Sequence, residues 1–279
     1  MLANNPLQQY FRQPAIYIRL PSGGNFYPEG ALVMPENGEI PVYPMTAIDE
    51  MTYRTPDAVF NGSATVSVIQ SCVPNIRNPW VMPAVDLDTV LVSIRIASYG
   101  HNMELDTQCP NCKHTDNYEV DLRTVLENIV APDYQDSIRH RDIEIYFKPM
   151  TYQNLDENNK RQFEEQRLLQ SISQGDEPDD KKLDKLTQAL KKITEITVDA
   201  LGQSIAAIKT PSALVTESAF ILDFLKNCER QLFNQIREYI IENKTKSELK
   251  PLKIVCSECK TEYNQAMTLD MSNFFASAS

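Results

Sequence analysis

The sequence predicts an α+β protein: a compact body of short strands and helices, a long inserted helical hairpin or bundle, and a split four-Cys zinc ribbon at the ends of the insertion. Three observations predict this class. Eleven of the 17 Pro and six of the eight Gly fall in the first 100 residues, whereas residues 152–250 contain only Pro178 and Pro211. Pro removes a backbone donor and Gly permits tight turns, so the first region breaks into short elements and the later one sustains long helices. Apolar residues recur at steps of three and four from 183 to 240. Finally, Cys109-Pro110-Asn111-Cys112 and Cys256-Ser257-Glu258-Cys259 each sit between β-like runs on either side of the helical segment.

Taken in order, Ile16-Tyr17-Ile18-Arg19-Leu20 reads as a strand and Pro21 to Asn25 as a turn. Glu39 to Tyr43 is a second short strand, whose Pro41 suits an edge. Thr46 with Asp49 three residues later marks a helix start. Gly62 to Val73 is a Val-rich helix. Asp86 to Ser98 is a helix apolar nearly all round, which places it in the core, with Gly100 as its C-cap. Asn102 to Thr107 and Tyr118 to Leu122 are strands around the first Cys turn, followed by a short helix from Leu122 to Val130 and a strand from Ile143 to Phe147.

A polar helix over 152–174 then leads through an acidic turn, Gln174 to Asp179, to a second helix beginning at Lys181. Leu183, Leu186, Leu190, Ile193 and Leu201 form a narrow stripe, as in an antiparallel hairpin. A third helix over Thr216 to Glu242 carries Ile221, Leu225, Cys228, Leu232, Ile236 and Tyr239 on one face. Leu252 to Val255 and Glu262 to Thr268 are strands around the second Cys turn, and the tail contains Phe274 and Phe275. The expected domains are 1–150, a body with the first knuckle; 151–250, the helical insertion; and 251–279, the second knuckle and a tail packing back on the body.

Charge narrows the function classes. Lys+Arg 27 against Asp+Glu 38 gives a net charge of −11, the wrong sign for a phosphate-backbone binder or a polybasic membrane anchor. No run approaches the roughly 18 apolar residues of a membrane span. The start, Met1 to Pro6, lacks the basic and apolar regions of a secretory signal, so the expected site is a reducing cytoplasm. Six Cys in that setting point to metal ligands or buried thiols before disulfides.

Two residues between thiolates let one turn present both sulfurs to one ion, and two such turns complete a tetrahedral shell. Cys109, Cys112, Cys256 and Cys259 are therefore the expected ligands of one structural zinc per chain. Residues 113–255 separate the two turns, much further than in an ordinary ribbon, so the ion clamps the ends of the insertion together. Iron in the same four-sulfur shell, a redox dithiol and unconnected thiols are the other readings. Four Cys close the shell and leave no place for a catalytic water. His114 is not needed as a ligand, and Cys72 and Cys228 fall at apolar helical positions as core thiols.

No arrangement points to catalysis. The sequence has no GxSxG, GxxxxGK[ST], HExxH or GxGxxG. The paired acids Asp86 with Asp88 and Asp49 with Glu50 read as first-turn residues favoured by the helix dipole. Arg139-His140-Arg141-Asp142 reads as a solvated cluster before a strand.

Several pieces then fall in a specific order: Leu20-Pro21-Ser22-Gly23-Gly24-Asn25-Phe26-Tyr27-Pro28; Pro44-Met45-Thr46-Ala47-Ile48-Asp49-Glu50; Asn61-Gly62; a helix ending near Ser71-Cys72-Val73; and Arg95-Ile96-Ala97-Ser98-Tyr99-Gly100 ahead of the first knuckle. This order resembles the baseplate hub subunit family of T4-like contractile-tailed bacteriophages over residues 14–125, and the closing Cys turn fits the same plan. The helical segment, about 151–245, matches least. The resemblance implies a non-enzymatic structural or assembly component of the tail baseplate hub. Its partners would be other hub or tail proteins, with no nucleic acid or membrane, and a ring-forming homo-oligomer is compatible. It would reside in the host cytoplasm during assembly and in the virion tail. An assembly chaperone absent from the virion is the alternative, and a zinc-ribbon nucleic-acid regulator a remoter one.

Overall fold

A computed structural model describes residues 5–53, 62–174 and 179–267. Asn61, the acidic turn at 175–178, residue 268 at the end of the last expected strand and the Phe274–Phe275 tail lie outside them. The chain divides into two compact units: one contains residues 1–131 and 247–279, the other 132–246.

The first unit opens with a 3₁₀ turn over Pro6–Tyr10. Strands β1 (Ile16–Ile18) and β2 (Ile40–Val42) pair antiparallel, Ile16 opposite Val42 and Ile18 opposite Ile40. Helix α1 (Ala47–Tyr53) starts where Thr46 and Asp49 cap each other: Thr46 N–H donates to Asp49 Oδ2 at 2.7 Å and Asp49 N–H to Thr46 Oγ1 at 3.3 Å. Helix α2 (Ser63–Cys72) and helix α3 (Ala84–Tyr99) follow. Val90, Leu91, Val92 and Ile94 of α3 are all buried, with Val68, Ile69 and Cys72 of α2 and Ile40 and Val42 of β2 in the same core. An all-round apolar helix has no solvent face to offer, which is why α3 lies at the centre. Gly100 ends it at φ 88°, its N–H donating to Ile96 O at 2.9 Å.

Two antiparallel hairpins complete this unit. Strands β3 (Asn102–Gln108) and β4 (Thr115–Asp121) form the first, followed by the short helix α4 (Leu122–Glu127). The second hairpin, numbered β9 (Leu252–Val255) and β10 (Glu262–Gln265) in chain order, belongs to the returning segment. That segment joins the core through Leu249, Leu252 and Met267.

The second unit is not wholly helical, contrary to the expected insertion. It begins at Pro132 and carries a four-stranded antiparallel sheet in the order β5 (Ser137–His140), β6 (Ile143–Phe147), β7 (Ile205–Lys209) and β8 (Leu214–Val215). The segment 205–209 follows a helix and contains two Ala, so its local signal is helical. Pairing with β6, Ile145 opposite Ile208 and Tyr146 opposite Ala207, overrides it. Helices α5 (Tyr152–Gln174) and α6 (Asp179–Gln203) pack as a hairpin, with Lys192–Glu165 and Arg161–Asp199 ion pairs along it.

The single expected helix over 216–242 is instead two, α7 (Ser218–Asn227) and α8 (Arg230–Ser247). Cys228 turns extended at φ −73°, ψ 162°, and the Glu229 carboxylate pairs with Arg141. The break lets Ile221 and Leu225 on α7 and Leu232 and Ile236 on α8 all reach one core with Ile145, Phe147, Ile205 and Ile208. The Phe147 ring packs on Tyr239, centroids 4.2 Å apart.

Candidate metal centre

The four cysteines expected as ligands come together. The first pair sits in the turn of the β3–β4 hairpin, where Gln108 faces Thr115 and closes residues 109–114 into a knuckle. Cys109 N–H donates to His114 O at 2.9 Å and Lys113 N–H to Cys109 O at 3.0 Å. The second pair sits in the β9–β10 turn, where Val255 faces Glu262. There Cys256 N–H donates to Thr261 O at 3.0 Å and Lys260 N–H to Cys256 O at 3.1 Å. The two turns repeat one geometry, each with a Lys after its second Cys in the left-handed region, Lys113 at φ 62° and Lys260 at φ 58°. The repeated Cys-x-x-Cys-Lys was visible in the sequence as the signal of that shared turn.

The hairpins are also joined directly. The Thr107 and Tyr263 hydroxyls are 2.8 Å apart, and Asn111 Nδ2 donates to Thr261 Oγ1 at 3.2 Å. The Ser257 hydroxyl, hydrogen-bonded to Asp116, holds that carboxyl below its usual range.

All four sulfurs lie within 4.8 Å of one another. Cys109 Sγ is 3.6 Å from Cys259 Sγ, and Cys112 Sγ is 3.6 Å from Cys256 Sγ. An ion bound at about 2.3 Å from four tetrahedral sulfurs sets them about 3.8 Å apart, so the cluster has the dimensions of a four-thiolate shell. The Thr261 hydroxyl, then its N–H, and further the Cys112 thiol stabilise a thiolate at Cys259 and lower its pKa to about 5. Deprotonation is what metal binding requires. Cys109 and Cys256 are buried, Cys259 is half-buried and Cys112 is exposed.

The remaining candidates stay apart from this site. The His114 carbonyl shapes the first knuckle, but its ring is not in the cluster. Cys72 is buried in the α2 core, where burial and then the Asp49 charge push its thiol up to about 12. Cys228 lies at the α7–α8 break and is only partly buried. In the cluster Arg139 to Asp142, Arg139 and His140 end β5 and Arg141 and Asp142 form the β5–β6 turn, with Arg139 on Glu144 and Arg141 on Glu229.

Of the four acids read as first-turn residues, Asp49, Glu50 and Asp86 sit in first turns and Asp88 lies one turn further on, while the Asp49 and Asp86 carboxylates point inward. Asp86 Oδ1 accepts from Ser22 N–H at 2.8 Å, and Oδ2 accepts from the Ser22 hydroxyl at 2.6 Å and the Tyr27 hydroxyl at 2.9 Å. Asp49 Oδ2 accepts from Ser71 Oγ at 3.0 Å and Arg12 Nη1 at 3.3 Å. The nearby sequence motifs, Ser22-Gly23-Gly24 and Ser71-Cys72, carried no sign of these partners.

Fold and site together define an α+β protein in which two distant chain segments meet at a four-cysteine cluster able to hold a metal ion. Residues 28–276 match the family described as T4 bacteriophage base plate protein, and the chain belongs to that family. The match runs through the helical segment that the opening motifs resembled least. No curated protein and no solved structure matches the chain significantly. Among the described residues, no helix is long and apolar enough to cross a membrane.

Proposed function

We propose that the protein is a non-enzymatic part of the central hub of the baseplate, acting through contacts with other hub or tail proteins. A single structural zinc on Cys109, Cys112, Cys256 and Cys259 would clip together the two segments of the first unit, residues up to 131 and from 247. The observation that carries the reading is the family match over 28–276, which encloses both knuckles. Membership in a baseplate family supports a structural role in the phage tail. The hub assignment rests on the ordered motifs from Leu20 to Gly100.

The zinc reading draws on the donor set. Four thiolates form a closed shell, which suits a structural ion and leaves no open position for water. The loop between the two turns is long, and closing it costs entropy that grows as about (3/2)RT ln n. A structural zinc, worth on the order of 10 kcal/mol in small model sites, offsets that cost readily.

Quantitative mass spectrometry of purified virions beside infected-cell lysate tests the role. A fixed small copy number per particle is the expected result. Abundance in lysate with absence from particles would replace the structural role with that of a transient assembly chaperone. Metal analysis of reduced protein should give one zinc per chain, and well under one would remove the clip.

A further inference from the structure

We propose that the cysteine cluster is also a site of oxidative cross-linking, closing as two disulfides between the hairpins, Cys112 with Cys256 and Cys109 with Cys259. The inference rests on the sulfur positions and not on the identity of any ion.

Both 3.6 Å contacts run from one hairpin to the other, and together they use four different sulfurs. The two bonds can therefore coexist. Each contact joins a more accessible thiol to a buried one: exposed Cys112 to buried Cys256, and half-buried Cys259 to buried Cys109. The accessible partner meets a reagent from solvent, and the buried one resolves the adduct. A disulfide needs its sulfurs at about 2.05 Å, so each pair closes by about 1.5 Å. The Thr107–Tyr263 and Asn111–Thr261 contacts keep the hairpins facing each other during that movement.

The oxidant is a low-molecular-weight disulfide such as oxidised glutathione. Cys259 thiolate attacks one of its sulfurs, the reagent S–S bond breaks, and one small thiolate leaves. Cys109 thiolate then attacks Cys259 Sγ, forms the protein disulfide and expels the second small thiolate. Two protein thiols lose two electrons and two protons, and the reagent is reduced to two thiols. Cys112 and Cys256 repeat the exchange, and any bound ion is released as its thiolates are consumed. The link between the two segments would thus persist once the protein leaves a reducing compartment.

The test uses the full-length protein as purified, incubated with oxidised glutathione at about pH 8, alkylated and digested with trypsin without reduction. Residues 96–113 and 254–260 form the two cysteine-bearing peptides. The expected product is the two peptides joined, four hydrogens lighter than their sum, with fragmentation between the cysteines placing Cys109 on Cys259 and Cys112 on Cys256. Separate peptides each two hydrogens lighter, stable glutathione adducts, four alkylated thiols or the opposite cross-pairing would each overturn the proposal. A metallochromic dye read in the same reaction reports on zinc separately. Joined peptides without released zinc would sink the zinc reading and leave the cross-link standing.

Discussion

Ser22 and Asp86 lie 64 residues apart and are joined twice, Ser22 N–H to Oδ1 at 2.8 Å and Ser22 Oγ to Oδ2 at 2.6 Å. The buried carboxylate of α3 thereby fixes the Leu20 to Pro28 turn. Within that turn Gly23 and Gly24 hold positive φ, and a Cβ on Gly24 would meet the Met34 side chain at 2.5 Å.

Replacing Asp86 by Ala should therefore destabilise the protein by about 2–4 kcal/mol, because Ser22 N–H, Ser22 Oγ and the Tyr27 hydroxyl lose their acceptor. Urea denaturation measures it. A loss within about 0.5 kcal/mol would mean that water replaces the carboxylate freely.

Arg12 ties the N-terminal segment to two helices. It donates to Pro44 O, to Ser71 O and Oγ, each at 2.7 Å, and to Asp49 Oδ2. Arg12→Ala should cost about 1–3 kcal/mol, and Arg12→Lys should recover less than half of it, since an ammonium cannot span these acceptors as a planar fork does. Thermal melts of the two variants decide this, and full rescue by Lys would show that charge alone matters.

Burial, and then the charge of Glu248, raise Asp88 from 3.8 to about 6. The folded chain then holds this proton more tightly than the unfolded chain does. This contribution to stability grows as pH falls from 7 towards 4 and is lost as pH rises through 6. Asp88→Asn should flatten that part of the pH profile and stabilise the protein at pH 7.5 by about 1–3 kcal/mol. An unchanged slope between pH 5 and 7 would contradict it.

Removing the metal with a chelator under reducing conditions should loosen the knuckles selectively. Hydrogen exchange should accelerate in residues 102–121 and 252–265, while the sheet of the second unit, 137–147 and 205–215, keeps its protection. The double variant Cys109→Ser/Cys256→Ser should reproduce the pattern. Equal acceleration in both units would show that the cluster is not a local clip.

Much of the plan was legible in sequence because its signals are local. The Cys-x-x-Cys spacing presents two sulfurs from one turn whatever surrounds it. Thr46 and Asp49 cap α1 as their spacing foretells, and the apolar run of α3 has nowhere to lie but the core. The break at Cys228 and the strand at 205–209 were not legible. In both places local helix preference yields to a partner far along the chain, Arg141 for Glu229 and β6 for β7.

The sequence by itself thus determined the α+β class, most element positions, the acidic charge and the four sulfur donors. Only the tertiary structure decided that those sulfurs converge, that Asp86 and Asp49 turn inward, and that the second unit starts at Pro132 around a sheet. The reason is the range of the forces. Turn geometry, capping and periodicity act within a few residues, whereas a buried carboxylate or a paired strand is stabilised by groups that folding alone brings within reach.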